Sequence, residues 1–258
     1  MTTLPPGFRP ISGNPKPPFI FFFFRQNATK YPAVLLLSHI GAQPMKQKSE
    51  DQYLVKRLEV QMDFDILEID AANLKWFEFY GTSKSICFKN APMLRNVNMY
   101  LDPQVLTDPS PVCSNVTKFF HYMPSLQELE LCGSTLEYLI MGGIPESPPT
   151  ALNNVKFHCI LDMCLRNVKE FSSVVYLITS CPKLQELRIE CGFTGFEMDM
   201  EFMKIILASA PVLEEIVWNM THYIHRGTKM MDEMKQFSRV SPDVRFIFEE
   251  AYADPEFP

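Results

Sequence analysis

"SCPKLQELRIE", residues 180–190, holds a proline, a leucine two residues later, and apolar residues three and five positions after that leucine. The outline recurs in "NAPMLRNVNMY" (90–100), "YMPSLQELELC" (122–132) and "SAPVLEEIVWN" (209–219). A catalytic site does not require such recurrence, whereas a stack of similar structural units does. The key apolar residue of each unit is Leu74, Leu94, Leu126, Val155, Leu184 or Leu213, with gaps of 20, 32, 29, 29 and 29 residues. The best cores are Leu126-Leu129-Leu131, Leu184-Leu187-Ile189 and Leu213-Ile216-Trp218; Leu94-Val97-Met99 and Leu74-Phe77-Phe79 fit with substitutions. In the weakest unit, Val155-His158-Ile160, a histidine takes an apolar position.

An L-x-x-L-x-L core at this period is the signature of a leucine-rich repeat. Its L-x-L part reads as a short strand with alternate side chains turned into the core. The segment before it returns the chain. In "KEFSSVVYLITS" (169–180), Phe171, Val174, Val175 and Ile178 have helical spacing, as do Met203, Ile206, Leu207 and Ala210 in "DMEFMKIILASA" (199–210). "NVTKFFHYM" (115–123) reads as a shorter helix. Pro124, Pro182 and Pro211 follow these helices and help to end them. Strand and helix alternate, so the expected fold is α/β: a leucine-rich-repeat solenoid with parallel strands on the concave face and helices on the convex face. "GGIPESPP" (142–149) reads as a loop, "KMMDEMKQFSR" (229–239) as a helix, and "SPDVRFIFEE" (241–250) as a turn and a strand that caps the sheet.

Composition agrees with a globular protein. Of 258 residues, 47% are apolar and 21% charged. The net charge of −6 and the lack of a basic run argue against nucleic acid as a partner. No segment reaches the ~20 apolar residues that span a bilayer, so no membrane partner is expected. Seven cysteines without a CxxC pair, several inside the apolar repeats, read as reduced buried thiols of a cytoplasmic or nuclear protein. Residues 1–50 differ from the rest. "LPPGFRPISGNPKPP" (4–18) disfavours helix and strand interiors, and the segment reads as a poorly ordered Pro/Phe-rich arm.

"LEIDAANLKWFEFYG" (67–81), "SICFKNAPMLRNVNMYL" (85–101), "SPPTALNNVKFHCI" (147–160) and "ITSCPKLQELRIE" (178–190) resemble the repeat region of plant F-box/FBD/LRR-repeat proteins. "FMKIILASAPVLEEIVWNM" (202–220) with "MKQFSRVSPDVRFIFEE" (234–250) resembles their closing FBD motif. The resemblance implies repeats over 51–220 and an FBD-like region over 202–250 that shares the last repeat. It also implies the substrate-recognition part of an SCF-type ubiquitin ligase subunit, which holds an unknown protein substrate and has no catalytic residue. The family's F-box docks a Skp-type adaptor and, through it, a cullin. Residues 1–60 lack that pattern, since Leu4-Pro5 is followed by Pro6 and Gly7. Adaptor and cullin are therefore expected as partners only if an F-box is hidden there. The alternative is a stand-alone or truncated binding protein that does not assemble with the ligase.

No cofactor, metal or catalytic constellation is expected. "HYIH" (His222, His225) lacks further ligands at metal spacing, and "HCILDMC" (His158, Cys159, Asp162, Cys164) lies on a repeat strand, where a core histidine and cysteine pair is expected. No nucleophile elbow or phosphate-cradling glycine loop is visible. Partner binding is expected on the concave positions between core residues. These are Lys75, Trp76 and Glu78; Arg95, Asn96 and Asn98; Gln127, Glu128 and Glu130; Gln185, Glu186 and Arg188; and Glu214, Glu215 and Val217. The last three units carry five glutamates against one arginine, a strip that suits a basic partner. Trp76 and Tyr80 are candidate interface anchors.

Overall fold

The computed structural model describes residues 20–22, 34–38, 56–61, 63–102, 116–190, 197–220 and 232–250. Twelve strands and four helices are described: β1 (Ile20–Phe22), β2 (Val34–Ser38), β3 (Arg57–Gln61), β4 (Phe64–Asp70), β5 (Trp76–Gly81), β6 (Ser83–Asn90), β7 (Asn96–Leu101), α1 (Val116–Phe120), β8 (Glu128–Cys132), α2 (Gly133–Ile140), β9 (Phe157–Leu161), α3 (Val168–Thr179), β10 (Glu186–Glu190), α4 (Glu197–Ser209), β11 (Glu215–Met220) and β12 (Arg245–Glu250). The fold is α/β. Nine strands form one parallel sheet in the order β1-β3-β5-β7-β8-β9-β10-β11-β12, and β2-β4-β6 form a second parallel sheet. Short strands at Ile20–Phe22 and Val34–Ser38 join the two sheets, and the remainder of the arm expected over 1–50 lies outside the described residues.

The register of the large sheet follows the repeat. Leu58, Phe77, Val97, Leu129, His158, Leu187, Ile216 and Phe246 face one another in successive strands, with gaps of 19, 20, 32, 29, 29, 29 and 30 residues. The next inward row is Val60, Phe79, Met99, Leu131, Ile160, Ile189, Trp218 and Phe248. Both rows pack into one apolar core with the second layer.

That second layer departs from the expected row of helices. Opposite β3, β5 and β7 it is the three-stranded sheet, and Phe77 meets Phe88 of β6 edge-to-face at 5.2 Å. Chain length explains the difference. A strand about 17 Å long is retraced by ~5 extended residues or ~11 helical ones. The 19- and 20-residue gaps hold a second strand and two turns but no helix, whereas the 29- to 32-residue gaps leave room for helices.

The small sheet ends where the helices begin, and its edge is covered. The Ile86 amide on β6 donates to the Tyr138 hydroxyl of α2 at 3.1 Å. Phe88 packs edge-to-face on Phe119 of α1 at 5.6 Å. On α2, Thr135 Oγ1 accepts from the Leu101 amide at 3.1 Å and donates to the Met99 carbonyl at 3.0 Å. Backbone groups at the boundary thus find side-chain partners rather than an open edge.

α3 and α4 match the helices expected at 169–180 and 199–210, and α1 is shorter than 115–123. The side chain of Asn167 caps α3 by accepting from the Lys169 amide at 3.1 Å. α2 was not expected. Of the helix expected at 229–239, residues 232–234 form a single turn, and 229–231 lie outside the described residues. β12 pairs in parallel with β11 and extends the ladder by one more unit, so its residues 245–250 make a further rung with their own outer edge. Cys87, Cys132, Cys159, Cys164 and Cys181 are free thiols; Cys113 and Cys191 lie outside the described residues.

His158 occupies the inward row fully buried, with Nδ1 donating to the Leu129 carbonyl at 3.0 Å in the neutral tautomer that this contact favours. Its Nε2 finds no hydrogen-bond partner. Burial drives its pKa down from 6.5 to about 4. The unfolded chain therefore binds a proton that the folded chain refuses, and stability is lost as the pH falls from 6.5 towards about 4. Replacing His158 by leucine restores the repeat's apolar residue. The variant should lose up to ~1.4 kcal/mol per pH unit of the parent's acid sensitivity in that window, as read by urea titrations at several pH values. An unchanged slope would show that His158 is protonated at no such cost.

Candidate functional site

The large sheet has a second side, facing away from the second layer. Its three rows follow from strand alternation. The first is Arg57, Trp76, Asn96, Glu128, Phe157, Glu186, Glu215 and Arg245. The second is Glu59, Glu78, Asn98, Glu130, Cys159, Arg188, Val217 and Ile247. The third runs through Gln61, Tyr80 and Tyr100, then Cys132, Leu161 and Glu190, with Glu249 at the end.

Of the residues expected to bind a partner, Trp76, Glu78, Asn96, Asn98, Glu128, Glu130, Glu186, Arg188 and Glu215 lie together on this face. Lys75, Arg95, Gln127, Gln185 and Glu214 do not. Each sits one residue before its strand, at the sheet's turn-bearing edge, where the backbone forms a ladder of its own. Gln127 donates to the Arg95 carbonyl, and Gln185 to that of Lys156, both at 2.8 Å. Val217 lies on the outer face but is 1% exposed, so it is not the open contact position expected. The expected core pair of His158 and Cys159 is also split. Adjacent strand residues point to opposite sides, and Cys159 joins Cys132 and Leu161 in a small outer cluster against Tyr100 and Phe157.

The face is acidic and partly internally paired. Glu59, Glu78, Glu128, Glu130, Glu186, Glu190, Glu215 and Glu249 stand against Arg57, Arg188 and Arg245. Arg57 lies 3.4 Å above the Trp76 ring centroid and 2.9 Å from Glu59, with Glu78 at 3.7 Å. Arg188 reaches Glu249 at 3.1 Å and Glu186 at 3.8 Å, and Arg245 reaches Glu215 at 2.7 Å. Tyr80 and Tyr100 stack at 4.2 Å, and the Tyr100 hydroxyl donates to Glu130. The Asn96 amide donates to Glu128.

Burial pushes the carboxyls of Glu78, Glu128, Glu130, Glu186 and Glu190 above their ordinary range. The charge of Glu186 adds to the rise at Glu128, while Arg188 pulls Glu130, Glu186 and Glu190 back. Burial and then neighbouring glutamates raise Tyr80 and Tyr100, so both stay protonated donors at neutral pH. Burial thus disfavours the ionised form of these carboxyls, and Arg188 offsets part of that at three of them.

No group of three or more His, Cys, Asp or Glu residues poised for a metal occurs among the described residues, and His222 and His225 lie outside them. No helix among the described residues is long and apolar enough to cross a membrane. Sequence reasoning missed Arg57, Glu59, Tyr100, Phe157, Glu190 and Arg245 on the outer face. Alternation along "RLEVQ" and "FHCIL" would have placed Arg57, Glu59 and Phe157 there. The pairing partners of Arg245 depend on the extra rung and were not readable.

The resemblance to plant F-box/FBD/LRR-repeat proteins is supported by comparison. The chain is 25% identical over 221 residues to an F-box/FBD/LRR-repeat protein of Arabidopsis thaliana, covering 71% of this chain and 53% of that relative. The chain thus spans about half the length of the curated relative it matches. No family model matches it. No solved structure matches it.

Arg188 is the cation that several of these glutamates share. Arg188→Ala should lower stability by about 1 kcal/mol at pH 7. The deficit should shrink towards pH 4, where the carboxyls it faces take up protons. Thermal melts at the two pH values test this, and a deficit of equal size at both would place the role of Arg188 in packing instead.

Proposed function

We propose that this chain is a leucine-rich-repeat solenoid that binds proteins through the concave, outer face of its large sheet. The single observation that carries the reading is the contrast between the two sides of the same strands. The inward rows are apolar apart from His158, while the outer rows collect eight glutamates, three arginines and stacked aromatic rings. A side that only needed solubility would not bury its carboxyls or stack its tyrosines.

Similarity to the Arabidopsis protein supports a role like the substrate-recognition part of an SCF-type ubiquitin ligase subunit, with the FBD-like region at 202–250 as its last repeats. The partner segment favoured by the face is basic. Within this reading the chain holds a substrate and catalyses nothing, in the cytoplasm or nucleus. A second reading is a repeat protein that works apart from the ligase.

Two measurements test the proposal. The whole chain should bind a Lys/Arg-rich peptide more tightly than a Glu/Asp-rich one, and the difference should fall as salt is added. Reversing charge at Glu128, Glu130 and Glu186 together should weaken that binding by at least about tenfold. Equal binding of the two peptides, or a reversed variant that binds like the parent, sinks the acidic-face reading. Calorimetry against a plant Skp-type adaptor then separates the two roles. Micromolar or tighter binding favours the ligase role, and no binding beside a working control favours the independent repeat protein.

A further inference from the structure

The turn-bearing edge of the large sheet has a chemistry opposite to that of its outer face. A cleft of about 300 Å³ opens there where the units of β7, β8, β9 and β10 meet. Arg95, Ser125, Gln127, Asn154, Lys156 and Lys183 line it, with Pro124 as the one apolar contributor. Among the described residues, no carboxylate lines it. None of Arg95, Lys156 and Lys183 makes an ion pair among the described residues. Each surface arginine of the outer face, by contrast, lies within reach of a glutamate.

We propose that this cleft binds a phosphate group, held by Arg95, Lys156 and Lys183. This goes beyond the protein-binding role assigned to the outer face and does not depend on it. Three features carry it. Arg95 and Lys156 project from the same pre-strand position of units two strands apart, about 10 Å at the backbone, a span that two long side chains close around a tetrahedral oxyanion. The backbone fixes those positions, with Gln127 donating to the Arg95 carbonyl and Lys156 to the Gln127 carbonyl, both at 2.8 Å.

The neutral lining is also held in place. The Asn154 amide donates to the Pro124 carbonyl at 3.0 Å, Ser125 Oγ to the Pro92 carbonyl at 2.7 Å, and Lys183 Nζ to Asn154 Oδ1 at 3.0 Å. Lys183 keeps further N–H donors for a ligand, and the Arg95 guanidinium supplies a two-pronged fork. Lys56 and Lys75 occupy the same pre-strand position in the preceding units and add to the positive potential. Beyond Lys183 the edge changes sign at Glu214, which accepts from the Gln185 side chain at 3.0 Å. The cations thus converge on one cleft, which suits a single phosphate dianion better than a long polyanion.

The phosphate can come from a phosphorylated side chain of a protein or from free phosphate. Amide-resolved NMR titration of the whole chain with inorganic phosphate, at constant ionic strength, reads the site directly. Saturable shifts at Arg95, Ser125, Asn154, Lys156 and Lys183 are expected, with a Kd on the order of 1 mM. Arg95→Ala and Lys156→Ala, both at exposed positions, should each weaken binding about tenfold, with melting temperature unchanged. Lys183→Ala provides a third variant should either of these fail to fold.

A phosphoserine peptide that binds at least tenfold tighter than inorganic phosphate, with its unphosphorylated form inert, assigns the phosphorylated chain as the source. Equal affinity for peptide and inorganic phosphate assigns the free ion. Shifts that never saturate, or that chloride reproduces, overturn the site. So does single-stranded DNA that binds more tightly than the phosphopeptide with its shifts centred on Lys56 and Lys75.

Discussion

A four-residue turn before each of β5, β7, β8, β9, β10 and β11 is the constraint on which the rest of the structure depends. The amide of Leu74 donates to Ala71, Leu94 to Ala91, Leu126 to Met123, Val155 to Leu152, Leu184 to Cys181 and Leu213 to Ala210, at 3.0 to 3.4 Å. The residue after the acceptor is proline in four of these turns (Pro92, Pro124, Pro182 and Pro211), and proline presets the backbone angle this position needs. The turn ends on a buried leucine or valine, which anchors it in the core. These six strands therefore start at the same height, and side chains at equal offsets fall into rows. The apolar rows, the acidic rows and the basic edge are three readings of that one alignment.

Between two turns the chain must leave the sheet and return, and the number of residues available decides how. Short units come back as the strands β4 and β6, longer ones through α1 to α4. The change of partner layer would leave a strand edge exposed in the middle of the molecule. Tyr138 of α2 prevents that by bonding to Ile86 on β6, while Thr135 bonds Leu101 and Met99 at the end of β7. The same residues explain why α2 tolerates polar atoms in a buried position: each hydroxyl is bonded to a backbone group.

The large sheet was legible because its signal repeats. Eight inward positions in a row obey one template, and even His158, which breaks it chemically, keeps the position geometrically. The small sheet is hidden in the sequence because the apolar residues of "FDILEID" and "SKSICFKN" run on into the repeat cores that follow them. The spacing of 19 and 20 residues held the information, since too few residues separate β3, β5 and β7 for a helix. α2 escaped because its eight residues begin at once after β8, with no polar side-chain cap to mark the start. The candidate site was half legible. Alternation identifies the glutamates, but one residue further back the backbone bends into the turn, so Lys75, Arg95, Gln127, Gln185 and Glu214 belong to the edge. Cations 27 to 61 residues apart in sequence, Lys183 from Lys156 and Lys156 from Arg95, form no basic run, and only the stacking brings them together.

The net charge of −6 therefore hides two fields of opposite sign. The edge and the face adjoin in each unit: Lys75, Arg95 and Lys156 directly precede the face positions Trp76, Asn96 and Phe157. Were they interspersed, they would cancel within a Debye length of about 8 Å at physiological salt. The turn sorts Lys75, Arg95 and Lys156 to the edge and most carboxylates to the face, where Arg57, Arg188 and Arg245 pair with some of them. That sorting carries a cost: burial raises the carboxyls of Glu128 and Glu130, and the charge of Glu186 adds to the rise at Glu128. A repeat that needed only a stable core could have alternated signs along each row. Under the proposed function the cost has a use. A segment with a basic stretch and a phosphate at one end would feel both fields at once, and could seat in one direction across the sheet but not in the reverse.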